Sequence, residues 1–281
     1  RLELFSHFLE HYLLGSVVLV PALVLLRRPR WAYGAAALSL VLLIQLLPWY
    51  SARPVVEAGV EANLRVLQAN LLRANQSDAD FLAYVREIQP DLISVQEVDA
   101  RRMAALEPLL ESYPHHIFEA QEDNFGVALL SRLPLEGLDV TWPAESPVPM
   151  IEGTLQINGR SVCVLSIHTL PPLSHRAAET RNRQLGYLQQ LSEEAAGDLI
   201  ILGDLNCTPW SPWMKETVGK TALRDTRKGF GMLRTWPARF PVGIPIDYVL
   251  VQGEIQVIDT QLGPKVGSDH LPVFSALRIG D

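Results

Sequence analysis

A set of short apolar runs ends, one after another, on side chains able to do chemistry. Asn70 closes LRVLQAN, Glu97 follows DLISVQ, His168 closes SVCVLSIH, Asp204 and Asn206 follow LIILG, Asp247 sits inside IPIDYVLV, and Asp269–His270 precede the last apolar run. Any one of these alone reads as a turn former or a cap. Together they offer carboxylates, amides and imidazoles, with only two cysteines, Cys163 and Cys207, in the chain. Oxygen donors without thiolates suit a hard cation such as Mg²⁺, with Mn²⁺ as a substitute. The same inventory suits phosphate-ester hydrolysis, which needs charge stabilised on oxygen, a water held in line and a group to manage protons.

Positioning such residues requires strands that stop together. Four to eight residues with many β-branched groups mark strands at 64–70, 91–97, 125–131, 150–157, 161–168, 198–204, 246–251, 255–261 and 271–277. Helices fit 78–88, with Ser77 as its cap, 100–110 and 174–194. Asn158–Gly159 between two apolar runs predicts a hairpin. Nine strands with intervening helices predict two packed sheets covered by helices, over residues 63–281.

The ordered set QAN (68–70), VQE (95–97), FGVALLSR (125–132), SIH (166–168), GDLN (203–206), IDYVL (246–250) and SDHLPV (268–273) resembles the endonuclease/exonuclease/phosphatase superfamily. Deoxyribonuclease I, abasic-site endonucleases, inositol polyphosphate 5-phosphatases and neutral sphingomyelinases belong to it. The resemblance covers residues 64–279 and implies a four-layer α/β/β/α sandwich of two mixed β-sheets, with magnesium at one end. Its membrane-bound bacterial members are the nearest in organisation. The chain departs from the abasic-site pattern at Leu72, where those enzymes place an aspartate, which favours a site with fewer charges and one metal.

Within that frame Glu97 is the first metal ligand, and the resemblance adds Asn70 and Asp269 to its shell. Asp204 is expected to orient or deprotonate the attacking water, and Asn206 to donate its amide to a phosphate oxygen. Asp247 would fix the tautomer of His270 and hold it protonated as a donor to the developing phosphorane. His168 matches a phosphate-contacting position, so either histidine remains open as the acid. His115, His116 and His175 have no motif around them and are expected to face solvent, and Trp236 to stack on a substrate or pack in a loop. Aligned strand ends would put the two thiols about 26 Å apart, beyond disulfide reach, and both are read as buried and inert.

The first 54 residues have another character. Residues 31–50, WAYGAAALSLVLLIQLLPWY, lack acidic and basic side chains and end in aromatics, the pattern of a membrane-spanning helix; residues 4–26 form a second span. A cleaved leader fits less well, since no small-residue cleavage site follows the first run. RRPR at 27–30 between the spans, against Glu3, Glu10, Glu57 and Glu61 on the outer flanks, places that turn in the cytoplasm. Residues 55–62 then link the hairpin to a domain facing the periplasm of a bacterial inner membrane. Residues 55–281 carry 19 basic and 29 acidic groups, which lowers the prior for a protein gripping a long polyanion. The expected partners are the membrane and a phosphate-ester substrate: a lipid head group, a small phosphoester or nucleic acid. A nuclease on DNA or RNA, a catalytically silent module binding a phosphate ligand, and a scaffold using the hairpin are the other readings; no protein partner is expected.

Overall fold

A computed structural model describes residues 2–56, 59–143, 146–195, 197–240 and 242–280; Glu57 of the expected acidic flank lies outside them. Two six-stranded mixed sheets pack face to face. The first contains β1 (Leu64–Asn70), β2 (Leu92–Gln96), β3 (His115–Glu119), β4 (Val127–Ser131), β11 (Ile255–Leu262) and β12 (Val273–Ile279), in the order β11-β12-β1-β2-β4-β3. The second contains β5 (Leu135–Thr141), β6 (Met150–Ile157), β7 (Arg160–His168), β8 (Asp198–Asp204), β9 (Arg224–Asp225) and β10 (Asp247–Gln252), in the order β5-β6-β7-β8-β10-β9. Each sheet has one parallel pair at its centre, β1 with β2 and β7 with β8, and antiparallel neighbours outside it. Helices α3 (Ala79–Ile88) and α4 (Ala100–Leu106) cover the first sheet, and α5 (His175–Glu194) and α6 (Pro212–Lys220) lie on the side of the second. This is the expected four-layer sandwich.

The period-two alternation of strands decides which residues meet. Leu64 and Val66 of β1, Leu92 of β2, Val162 and Val164 of β7, Ile200 and Leu202 of β8, and Val249 and Val251 of β10 fill the space between the sheets. Their odd-phase neighbours, such as Leu67, Ile93, Leu165, Ile201 and Leu250, pack under the helices. Following the inter-sheet phase toward one end, the side chains turn polar: Gln68 and Asn70, Ser94 and Gln96, Ser166 and His168, Asp204, and Asp247. A hydrogen-bonded chain runs through this end, with Gln68 Nε2 donating to Gln96 Oε1 at 2.7 Å, Gln96 Nε2 to Ser94 Oγ at 2.7 Å, and Ser94 Oγ 2.6 Å from Ser166 Oγ. These bonds offset much of the cost of burying polar groups there, although Gln68 Oε1 has no hydrogen-bond partner.

Three strands and one helix escape the sequence pattern: β3, β5, β9 and α6. β5 is a half-exposed edge with a register shift, and β9 has only two residues, so neither has a strong period. The 100–110 helix ends at Leu106 and continues as one 3₁₀ turn, Glu107–Leu109, where Pro108 cannot extend the ladder. Asp78, not Ser77, stands at the N-cap of α3, and its carboxylate serves Arg101 and Arg102 instead of capping the helix. His115 and His116 lie half-buried on edge strand β3, whereas His175 is exposed. Cys163 is half-buried and Cys207 fully buried; both are free, and burial pushes the Cys207 thiol up to about 12.

The N-terminal segment begins with a 3₁₀ turn, Leu2–Phe8, followed by α1 (Leu9–Leu25) and α2 (Pro29–Ser51); the helical runs Glu3–Leu25 and Pro29–Ser51 are long and apolar enough to cross a membrane. They pair along Ala32, Ala35, Leu42, Leu46 and Trp49 of α2, spaced by three, seven, four and three residues; between them Ser39 Oγ donates to Ser16 Oγ at 2.8 Å. Small side chains at the near end let the backbones approach. The other end is docked on the sandwich. Glu3 accepts from Arg181 Nη2 and Ser211 Oγ, His7 Nδ1 lies 2.9 Å from Thr208 Oγ1, and Glu10 pairs with Arg234. Leu46 and Trp49 pack with Trp210 and Met232, while the Trp49 carbonyl accepts from Gly229 and Gly231 N–H. The arginine turn at 27–30 and the sandwich therefore lie at opposite ends of the hairpin.

Candidate active site

At the polar end of the sandwich β7, β8 and β10 place His168, Asp204 and Asp247 side by side, since Asp204 is the register partner of both others. Gly203 makes this approach possible: a Cβ there would collide with the Ile167 carbonyl of β7. Asp204 Oδ2 lies 3.6 Å from His168 Nε2 and 3.8 Å from His270 Nε2, and accepts from Asn70 Nδ2 at 3.2 Å. Its Oδ1 accepts the Asn206 N–H at 2.9 Å, so the Asx turn expected of an isolated aspartate is also present. Asn206 is not extended. At φ 46° it turns back, donating to the Thr169 carbonyl at 2.8 Å with Nδ2 3.3 Å from His168 Nε2.

His270 Nδ1 meets Asp247 Oδ2 at 2.8 Å, and the other Asp247 oxygen accepts from Gln68 Nε2 at 2.9 Å. Burial alone would lower His270, but the adjacent Asp247 overrides it and raises the ring to about 10. Burial would likewise raise Asp247, yet the His270 charge holds it below the usual carboxylate range. His168 behaves oppositely, because burial and the neighbouring positive ring take it down to about 3. The two histidines thus differ in charge at neutral pH: His270 is cationic and His168 is neutral. Burial, with the Asp247 charge second, pushes Asp204 up to about 7.

Glu97 and Asn70 complete the other wall. Asn70 Nδ2 donates to Glu97 Oε1 at 3.1 Å as well as to Asp204, while its Oδ1 accepts the Leu72 N–H at 3.0 Å. Its amide nitrogen, not its oxygen, faces the carboxylates. Glu97 has φ 61°, unusual for a residue with a Cβ, and its Oε2 accepts the Arg73 N–H at 2.7 Å. Burial raises its pKa. Asp269 accepts from Trp236 Nε1 through Oδ2 at 2.9 Å, and its Oδ1 is buried with no hydrogen-bond partner. Trp236 is thereby fixed beside the site, its ring 6.5 Å from that of His270.

The oxygen-rich donor set fits a hard divalent cation. Four carboxylates, of Glu97, Asp204, Asp247 and Asp269, surround one cationic ring, and Asp269 Oδ1 is an orphan. Ligand-type atoms of Asp204, Asp247 and His270 all fall within 4.8 Å of one another. A protonated His270 has no lone pair to give, so that trio holds one bonded pair, His270 with Asp247 at 2.8 Å, and the Asp204 carboxylate 3.8 Å from the ring. Glu97 and Asp269 add further carboxylate oxygens to the same end of the sandwich.

Sequence reasoning gave no role to Gln68, Thr235 or Ser268, all of which hold the site. Thr235 Oγ1 accepts the Asp247 N–H at 3.3 Å; Ser268 Oγ donates to the Asn70 carbonyl at 2.7 Å and accepts the His270 N–H at 3.0 Å. Gln68 and Ser268 lay inside the quoted QAN and SDH motifs. Thr235 has no local signal.

Similar in fold are two solved structures bound to nucleic acid. TDP2 of D. rerio complexed with single-strand DNA product superimposes with a TM-score of 0.65 at 14% identity, covering 76% of this chain and 98% of that one. The 3′ phosphatase NExo from Neisseria, bound to product DNA hairpin, gives 0.60 at 18%, covering 75% and 98%. An endonuclease/exonuclease/phosphatase from Bacteroides vulgatus gives 0.64 at 18%, covering 77% and 99%. Among proteins of curated function, none matches in sequence. The family model described as "Endonuclease/Exonuclease/phosphatase family" matches residues 60–270, from just before β1 to His270 itself. The chain carrying this two-sheet site belongs to the endonuclease/exonuclease/phosphatase family.

Proposed function

We propose that the protein is a membrane-anchored, divalent-cation-dependent phosphoesterase that hydrolyses a phosphodiester or phosphomonoester by direct attack of water. The observation that carries this reading is Asp204, set between a neutral His168 and a cationic His270 at 3.6 and 3.8 Å. A carboxylate raised to about 7 is suited to take a proton from water near neutral pH. As the water oxygen bonds to phosphorus and the ester P–O bond breaks, Asp204 takes a proton and the leaving oxygen receives one from His270 Nε2. Asp247 keeps that ring charged and oriented; Asn206 and His168 line the same pocket as neutral partners for phosphate oxygens. Glu97 and Asp269, with Asn70 bracing Glu97, would hold Mg²⁺ or Mn²⁺, which when bound supplies charge neutralisation on the phosphate.

The docked hairpin supports an anchored enzyme whose sandwich lies away from the arginine-rich turn, on the periplasmic side of a bacterial inner membrane. Full-length protein in detergent micelles, assayed on bis-p-nitrophenyl phosphate with Mg²⁺ and with a chelator, tests the reaction. Chelator-sensitive release of p-nitrophenol is expected. Inactivity on this compound, on phospholipid and on DNA alike, equal in wild type and Asp204→Asn, would leave only phosphate binding.

A further inference from the structure

A groove of about 380 Å³ opens between α1, α2 and the loop following Arg234. Its walls include Leu14, Val17, Leu43, Leu47 and Val242, with Arg234 at its polar rim. The first four project from the two helices apolar enough to span a membrane, so the space they enclose faces hydrocarbon. The rim is polar: Arg234 pairs with Glu10, which also accepts from Tyr50 at 3.0 Å, and His11 beside them keeps a buried Nδ1 without a hydrogen-bond partner. An apolar trough with a polar lip at the outer end of a spanning hairpin matches one molecule's two-part chemistry, an acyl chain below and a head group above.

The loop that forms the lip also builds the active site. Arg234 lines the groove; Thr235, next in the chain, holds the Asp247 N–H; Trp236 donates to Asp269. Groove and site are thus two residues apart along one loop, about 7 Å of extended chain. Farther along the same loop Phe240 and Val242 are 57% and 51% exposed. Large apolar side chains left bare beside helices of spanning length suit contact with the lipid surface.

We infer that this groove seats an acyl chain of the substrate, which is a membrane lipid carrying its phosphoester in the head group. The inference rests on the phosphoesterase reading and specifies its substrate class. A volume of this size lies within the range of small-molecule sites and takes part of one chain, leaving the phosphate at the lip beside Trp236.

Two groove-filling variants test it, Val17→Trp on α1 and Leu47→Trp on α2, each in full-length protein. The probes are vesicles of phosphatidylglycerol with a diazirine in one acyl chain, phosphatidylglycerol hydrolysis in mixed micelles, and soluble bis-p-nitrophenyl phosphate. Expected are photolabels concentrated on residues 13–17 and 43–47 relative to Leu38 and Val41 on the opposite face of α2. Filling the groove should cut that labelling and kcat/KM for the lipid by about tenfold or more, as when several methylenes lose their contacts, with soluble-diester turnover unchanged. Equal labelling of both faces, labelling that filling does not change, or label carried by a second copy of the chain instead of lipid would overturn the groove assignment. Soluble turnover with no lipid hydrolysis would overturn the substrate class while leaving the phosphoesterase reading intact. Loss of soluble turnover in both variants would overturn the separation of groove from site. Wild type inactive on both substrates would instead defeat the phosphoesterase reading.

Discussion

Glu3 and Arg181, 178 residues apart in sequence, form an ion pair in which Arg181 Nη2 lies 2.7 Å from both glutamate oxygens and the arginine is wholly buried. The same guanidinium reaches the Asn206 carbonyl at 3.4 Å, so the start of the apolar hairpin touches the backbone of a candidate active-site residue. Removing one partner of a buried pair strands the other. Glu3→Gln should cost about 3 kcal/mol, whereas Glu10→Gln, opposite the 41% exposed Arg234, should cost under about 1 kcal/mol. Thermal denaturation of full-length variants in detergent checks the contrast; equal melting of the two would contradict it.

Asp204→Asn should lower turnover about 10²–10⁴-fold, the range for a lost general base. In the wild type the rate should rise with pH as Asp204 ionises near 7, and a bound cation would shift this limb lower by favouring the carboxylate. A pH–rate profile taken at several Mg²⁺ concentrations measures the shift. A limb that stays in place on replacing Asp204 would assign the titration elsewhere.

The histidines predict opposite pH limbs of stability. His270 is raised from 6.5 to about 10, so its contribution is fully present below 6.5 and is lost as pH rises through 10. His168 is lowered from 6.5 to about 3, so its contribution is present above 6.5 and fades as pH falls toward 3. Imidazole titration by NMR should show one ring charged and one neutral at pH 7. Asp247→Asn should bring the His270 transition down from about 10, and His168→Asn should flatten the acid limb of melting temperature.

Glu97→Gln should raise the Mg²⁺ concentration needed for half-maximal activity, with Asp269→Asn acting in the same direction. Trp236→Phe removes the donor to Asp269 and should alter the metal requirement less than either. A Glu97→Gln titration curve that overlays wild type would exclude Glu97 from the cation site.

Much of the site was legible because β-strands impose a simple period. A polar residue at the end of an apolar run, in phase with the inter-sheet face, points where its neighbours point; β1, β7, β8 and β10 all obey this rule. Leu64, Val66, Gln68 and Asn70 form one such series. Glu97 ends a run as well, but its left-handed backbone turn, with its return to Arg73 N–H, has no signature in a sequence of ordinary residues. The edge strands were lost because half-exposed, bulged or two-residue pairings carry too little alternation.

Residue types and their order determined which chemistry is available, that two sheets are built from alternating runs, and that the first fifty residues contain two long apolar helices. The tertiary structure alone decided how charge is distributed among chemically identical groups. His168 and His270 diverge because only one is bonded to a carboxylate, and Asp204 and Asp247, both buried, diverge because only Asp247 is bonded to the His270 ring. It also decided that Glu3 and Glu10, which in sequence look like solvent-facing flanks, meet arginines from the far end of the chain. Local pattern acts over a few residues, whereas Coulomb interaction and desolvation depend on distances that folding sets.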